Sequence, residues 1–166
     1  IYPIVRALKE AGNRVITVIE GRSETLLYSQ DKLKKYSDVF VMATSDGSVG
    51  TRGKAKTVLK SMVGEGKKID IAYFMGCTFM MMVSALEAKA HNIKSLVYLN
   101  PLMVDATGMC GVCRVKVGGE MKFGCVDGPE FPGENVDWEE LFSRNSQYIP
   151  HQTLAYQHHC HQHRTR

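Results

Sequence analysis

Residues 69–99, IDIAYFMGCTFMMMVSALEAKAHNIKSLVYL, decide the fold. Ile69 to Met75 reads as a strand, and Gly76-Cys77 is a tight turn. Thr78 to His91 has the length and apolar content of a helix, and Ser95 to Leu99 is a second strand. A strand, a helix and a strand in succession place the two strands parallel, because the helix supplies the crossover that parallel pairing needs.

The same alternation runs back to the start of the chain. Ile1 to Ala11 is an amphipathic helix with Ile4, Val5 and Leu8 on one face, Pro3 in its first turn and Gly12 at its end. Arg14 to Glu20 is a strand apolar enough to be covered on both faces. Thr25 to Tyr36 reads as a helix, Val39 to Thr44 as a strand and Lys54 to Gly64 as a helix. The order αβαβαβαβ predicts an α/β fold: a doubly wound parallel sheet with helices on its faces. The methionines at 75, 80, 81 and 82 read as core filler around the turn.

Composition narrows the class. The 166 residues are 44% hydrophobic and 23% charged, which suits a globular domain. A net charge of +4 without a basic run gives nucleic acid no footprint. No apolar run approaches the roughly 18 residues of a membrane span and no signal peptide is evident, so a cytoplasmic protein without a membrane role is expected. Five cysteines with one C-x2-C pair point to metal or redox use in a reducing compartment.

Ligands of a doubly wound sheet gather at the carboxyl ends of its strands. Here those ends carry Gly21-Arg22-Ser23, then Thr44-Ser45-Asp46-Gly47-Ser48, then Gly76-Cys77-Thr78. Arg22 and Ser23 offer a guanidinium and a hydroxyl to a phosphate. Each loop taken singly also fits a purely structural βα connection, but the three converge on one edge.

Beyond the last strand comes DATGMCGVCRVKVGGEMKFGC, residues 105–125. Cys110 and Cys113 are separated by two residues, and Cys125 follows after eleven more. Asp105 stands where the first cysteine of a C-x4-C-x2-C…C [2Fe–2S] pattern would be. Arg114 to Phe123 is a hairpin around Gly118-Gly119. Three readings fit these residues: an iron–sulfur site, a zinc site of three cysteines and an aspartate, or free cysteines packed around a hairpin. Val126 to Gly133 is rich in turns, and Asp137 caps a short helix that follows. The tail from Thr153, with His158, His159, Cys160, His161 and His163, reads as a disordered polar tail; metal binding is the alternative.

Residues 100–133, NPLMVDATGMCGVCRVKVGGEMKFGCVDGPEFPG, resemble the cluster motif of the small subunit of NADH-dependent ferredoxin:NADP+ oxidoreductase, a family that includes sulfide dehydrogenases. Gly76 to Met81 is similar to the C/G-G-P-x-x-M-M turn of ferredoxin reductase-like proteins, with Cys77 in place of proline. Thr44 to Gly50 looks like their T-D-D-G-S-x-G loop. The resemblance implies a [2Fe–2S] cluster held by Asp105, Cys110, Cys113 and Cys125. It implies NADP(H) or NAD(H) at Arg22, Ser23, Thr44, Asp46, Gly47, Gly76, Cys77 and Thr78, with Arg22 on the 2′-phosphate.

In the family a flavin-binding barrel with FAD and a glycine-rich pyrophosphate loop precede this region, so the sequence is expected to be a C-terminal portion. The expected divisions are 1–100 for the nucleotide domain, 101–135 for the cluster hairpin and 136–166 for a helix and tail. The implied activity is electron transfer between a flavin and a large flavin/iron–sulfur partner subunit, with ferredoxin as a further partner. The electron-transfer subunit of dihydroorotate dehydrogenase and NAD(P)-linked hydrogenases share the domain plan, but their usual first ligand is cysteine. A zinc-stabilised docking domain is the alternative outside redox chemistry.

Overall fold

A computed structural model describes the backbone of residues 1–163 and the side chains of residues 1–157. Helix α1 (Tyr2–Glu10) leads into strand β1 (Ile16–Gly21), helix α2 (Gln30–Lys35) and strand β2 (Val39–Thr44). A two-residue strand β3 (Thr51–Arg52) precedes helix α3 (Ala55–Gly64). Strand β4 (Ile71–Phe74), helix α4 (Thr78–Ala90) and strand β5 (Lys94–Tyr98) complete the α/β part. Strands β6 (Arg114–Val117) and β7 (Glu120–Phe123) form the hairpin. Strand β8 (Glu130–Pro132) and helices α5 (Trp138–Ser146) and α6 (Ile149–His163) close the chain.

The expected parallel α/β arrangement is present, divided into two three-stranded sheets. β1, β2 and β3 are parallel, in register from Ile16 opposite Val39 to Gly21 opposite Thr44. β4 and β5 are parallel, and β8 adds to β5 in the antiparallel sense. β8 comes from the turn-rich segment after the cluster motif, so the hairpin region is stitched into the second sheet.

Three apolar centres hold these layers. Val5, Val15 and Leu33 anchor α1 and α2 on the first sheet; Ala43, Val58 and Met62 anchor α3 on the same sheet. The largest centre joins Met81 and Ala85 of α4, Val97 of β5, Val115 of β6, Phe131 of β8 and Leu141 of α5. Full burial of a side chain such as Val97 or Leu141 contributes about 1.5–3 kcal/mol. The cluster hairpin therefore shares its core with the nucleotide-type half.

Four expectations change. β1 is largely half-buried, with Thr17 its one fully covered residue, because one edge lacks a strand partner among the described residues. The helix expected from Thr25 breaks: Glu24–Leu26 is a 3-10 turn, Leu27 is buried, and Ser29 takes φ 60°, so α2 starts only at Gln30. Leu27 lies within 2.9 Å of where a Cβ on Gly21 would stand, which pins the chain away from a helical path. Of Met75, Met80, Met81 and Met82, only Met81 is fully buried, with Met80 packed against the same core. The polar tail is helical to His163, with Pro150 in the first turn and no later proline or glycine to stop it. The side chains of His158, His159, Cys160, His161 and His163 lie outside the described residues. Among the described residues, no helix is long and apolar enough to cross a membrane.

Candidate functional site

The loops after β1 and β2 lie side by side. Ser45 N–H donates to the Gly21 carbonyl and Asp46 N–H to the Arg22 carbonyl, both at 3.1 Å; Glu24 N–H donates to Ser48 Oγ at 2.8 Å. Arg22 is exposed and Ser23 half-buried. Thr44 is fully buried, and its hydroxyl donates to the Val49 carbonyl at 2.7 Å and accepts from Val49 N–H at 3.3 Å. Asp46 Oδ1 accepts from the Ser48 hydroxyl at 2.7 Å and from Ser48 N–H at 2.9 Å. These bonds hold its carboxyl below the usual carboxylate range. Gly47 takes φ 77° and exposes its backbone. Gly50 allows nothing larger, since a Cβ would stand 2.1 Å from the Met42 carbonyl oxygen.

The third loop opens α4. Gly76 and Cys77 are exposed, and Cys77 precedes the helix without capping it through its side chain. The Thr78 hydroxyl donates to Asn100 Oδ1 at 3.2 Å and accepts from Asn145 Nδ2 at 3.1 Å. Asn100 Nδ2 donates to the Gly76 carbonyl at 3.5 Å. Lys54, just before α3, sits 4.9 Å from the Phe79 ring centroid, joining the second loop to the third. The three loops thus form one edge, with Arg22, Asp46 and Gly47 at one end and Gly76, Cys77 and Thr78 at the other.

The cluster motif folds as a loop and a hairpin. Gly118 and Gly119 take φ 62° and 83°, the signature of a tight two-residue hairpin turn. Ala106, Gly108 and Gly111 also have positive φ, and this winds the preceding loop tightly. Asp105 and Cys110 are exposed, Cys125 is half-buried and Cys113 is buried. Asp105 Oδ1 accepts from the Cys110 thiol at 3.4 Å, and Cys113 Sγ donates to Cys125 Sγ at 3.3 Å. The four donors stand as two pairs; among the described residues, no three His, Cys, Asp or Glu meet in a single group.

Thr107 N–H, at 3.0 Å, holds the Asp105 carboxyl below its usual range. Hydrogen bonding to Cys113 pushes the Cys125 thiol up. The donor set fits a two-iron cluster, in which each iron takes two anionic protein donors. Arg144 Nη2 donates to the Val112 carbonyl, between the two cysteines of the C-x2-C pair, at 3.2 Å. Beside it lies a cavity of about 210 Å³ lined by Cys110, Gly111, Arg114, Arg144 and Tyr148.

Each residue expected from sequence therefore falls in one of two places, the loop edge or the paired donors. Thr44 is buried with its hydroxyl spent inside its own loop, and the Ser23 hydroxyl meets Thr25 Oγ1 at 3.0 Å within its loop. Asn100, Arg144 and Asn145 had no role in the sequence reading. Nothing local marks the last two, which lie on α5, Asn145 being 67 positions from Thr78.

The comparisons follow this geometry. Residues 100–137 match the family described as iron-sulfur cluster binding domain of dihydroorotate dehydrogenase B. That match and the α/β fold define a chain of the ferredoxin reductase-like class that carries an iron–sulfur-binding domain. More particularly, the chain is a homologue of dihydroorotate dehydrogenase B electron transfer subunits. It is 46% identical over 157 residues to the electron transfer subunit homolog of Thermotoga maritima, and 31% identical over 142 residues to the electron transfer subunit of Bacillus mycoides. The matches take in 95% and 82% of the chain but 55% and 52% of those relatives.

A solved structure of NADH-dependent reduced ferredoxin-NADP oxidoreductase, described for flavin-based electron bifurcation, superposes with a TM-score of 0.84 at 44% identity. It covers 96% of this chain and 57% of that one. The chain thus spans about half the length of the proteins it matches.

Proposed function

We propose that the chain is the nucleotide- and cluster-carrying part of an NAD(P)H-dependent flavin/iron–sulfur oxidoreductase. Asp105, Cys110, Cys113 and Cys125 hold a [2Fe–2S] cluster, with Asp105 and Cys110 on one iron and Cys113 and Cys125 on the other. The observation that carries this is the arrangement of four anionic donors in two close pairs. When bound, the cluster supplies one-electron transfer, whereas a nicotinamide exchanges two electrons as hydride. A flavin is therefore needed between them, here FAD on a part of the protein outside this chain.

Arg22 and Ser23 receive the 2′-phosphate of NADP(H). Asp46, Gly47 and Thr44 shape the adjoining wall, and Gly76, Cys77 and Thr78 face the nicotinamide end. The exposed Cys110–Asp105 side of the cluster loop presents the cluster to a large flavin/iron–sulfur subunit, and ferredoxin exchanges electrons with the assembly. Residues 1–100, 101–135 and 136–166 act as nucleotide domain, cluster hairpin and closing helices. Reduced thiols suit the cytoplasm. The chain by itself does not turn over.

Asp105 also favours the ferredoxin:NADP+ oxidoreductase reading over that of a dihydroorotate dehydrogenase subunit, which the family match keeps as the second reading. A carboxylate is a harder donor than thiolate and alters the electronics of its iron.

An anaerobic absorption spectrum, with iron, sulfide and zinc measured on the same sample, tests the proposal. Visible bands with about two irons and two sulfides per chain are expected; stoichiometric zinc without sulfide would sink it. Asp105→Cys should retain the cluster with a changed spectrum, and an unchanged one removes Asp105 from the ligand set. Arg22→Ala should weaken NADP(H) more than NAD(H); equal losses remove its phosphate role.

A further inference from the structure

Two consecutive residues of α5 reach the two sites separately. Arg144 donates to the Val112 carbonyl in the cluster loop, and Asn145 donates to the Thr78 hydroxyl in the turn that opens α4. The helix between them and the hairpin has little freedom. Asp137 caps it by accepting from Glu140 N–H at 3.1 Å, and the same carboxylate meets Lys116 of β6 at 3.3 Å. Asp137 N–H donates to the Lys116 carbonyl at 2.9 Å, and Leu141 is buried in the shared core. A shift at either end of the Arg144–Asn145 pair is thus carried to the other as a rigid-body movement.

The Thr78 turn is gripped from a second side by Asn100, which accepts from Thr78 and donates to the Gly76 carbonyl. Asn100 is also the residue from which the chain enters the cluster loop through the buried Pro101. A ligand that takes the Thr78 hydroxyl proton therefore competes with Asn100, and one that approaches the Thr78 oxygen or the Gly76 carbonyl shares it with Asn145 or Asn100.

We propose that Arg144 and Asn145 are positioning residues that couple occupancy of the nucleotide crevice to the geometry of the cluster loop. The inference rests on the assignment of nucleotide and cluster made above. Linkage makes the coupling reciprocal: disturbing the cluster loop must change nucleotide affinity, and binding nucleotide must change the cluster's surroundings.

The test uses the holoprotein with excess dithionite, so that NADPH binds without reacting. The electron paramagnetic resonance signal of the reduced cluster is recorded with and without NADPH. The dissociation constant of NADPH is measured in parallel. In the wild type, NADPH should shift the signal. In Asn145→Ala the shift should be lost although NADPH, at saturating concentration, still binds; Asn145→Asp, which keeps the size but not the donor, should behave alike and guards against misfolding.

Arg144→Ala should weaken NADPH roughly fivefold or more, although its guanidinium bonds to the cluster loop and not to the crevice; Arg144→Lys should recover part of the loss. A shift that survives both Asn145 substitutions overturns the coupling. So does an unshifted wild-type signal with NADPH demonstrably bound. Where the wild type binds NADH and not NADPH, the same readings are taken with NADH; failure to bind either overturns the nucleotide assignment and the coupling with it.

Discussion

The loop after β2 and the loop that carries the cluster motif are opposite in construction. Residues 44–53 are tied by their own side chains: a buried threonine bridging to Val49, an aspartate closing on Ser48, and Gly53 N–H returning to the Thr44 carbonyl at 2.9 Å. Residues 102–107 are all exposed, and Val104 and Met109 remain 71% and 88% accessible. The cluster loop is closed mainly by its prospective ligands, Asp105 on Cys110 and Cys113 on Cys125. One loop is shaped by the protein before a ligand arrives. The other has its donors in two close pairs but little packing of its own, so the cluster binding proposed there would be coupled to local folding.

The largest effect should come from breaking the second kind of loop. Cys113→Ala removes a proposed ligand on the buried side of the loop, where Gly124 N–H also meets the Cys113 carbonyl at 2.9 Å. Complete loss of the visible cluster bands is expected, with faster amide exchange over residues 102–113 and unchanged exchange over residues 44–53. Equal loosening of both loops would abolish the contrast.

Thr44→Val makes the complementary cut. It keeps the shape but leaves the Val49 N–H and carbonyl without their partner, at a cost of about 1–3 kcal/mol. Thermal melting should register that loss and NADP(H) affinity should fall, with the cluster spectrum intact. A variant as stable as the parent would mean that the loop holds its form without Thr44.

Asp137→Ala should have a smaller effect, about 1 kcal/mol for a lost helix cap. Its interest lies in the location, because α5 bonds both to the cluster loop and to the turn that opens α4. Melting measures the stability change, and the nucleotide-induced cluster signal should weaken along with it.

The two constructions also explain what the sequence disclosed. The Gly-Gly hairpin, the start of α4 at Thr78 and the Asp137 cap are local devices, and each is found where the pattern puts it. The cluster motif is legible for the same reason, since its donors lie within one short stretch. The break before α2 is set by Leu27 packing under Gly21, a contact that periodicity does not reveal. The pairing of β8 with β5 and the reach of Asn145 to Thr78 join residues more than thirty and sixty positions apart. Their side chains are ordinary polar or apolar ones until the fold brings them together.

The smallest expected effect is on pH dependence, and it belongs to the self-tied loop. The Ser48 hydroxyl and N–H lower the Asp46 pKa below its ordinary value of 3.8. A carboxyl depressed in the folded state lends stability that is present above that ordinary value and lost as pH falls through the folded value. Between neutrality and about pH 5 the Asp46–Ser48 closure should therefore be constant. Further acidification should open it, seen as a change in the Ser48 amide resonance. Asp46 is exposed, so water competes for both bonds and the gain is slight. Asp46→Asn should remove this acid-dependent change while leaving Thr44 bound to Val49. Persistence of the same change in Asp46→Asn would assign it to another carboxylate and separate the two halves of this loop's closure.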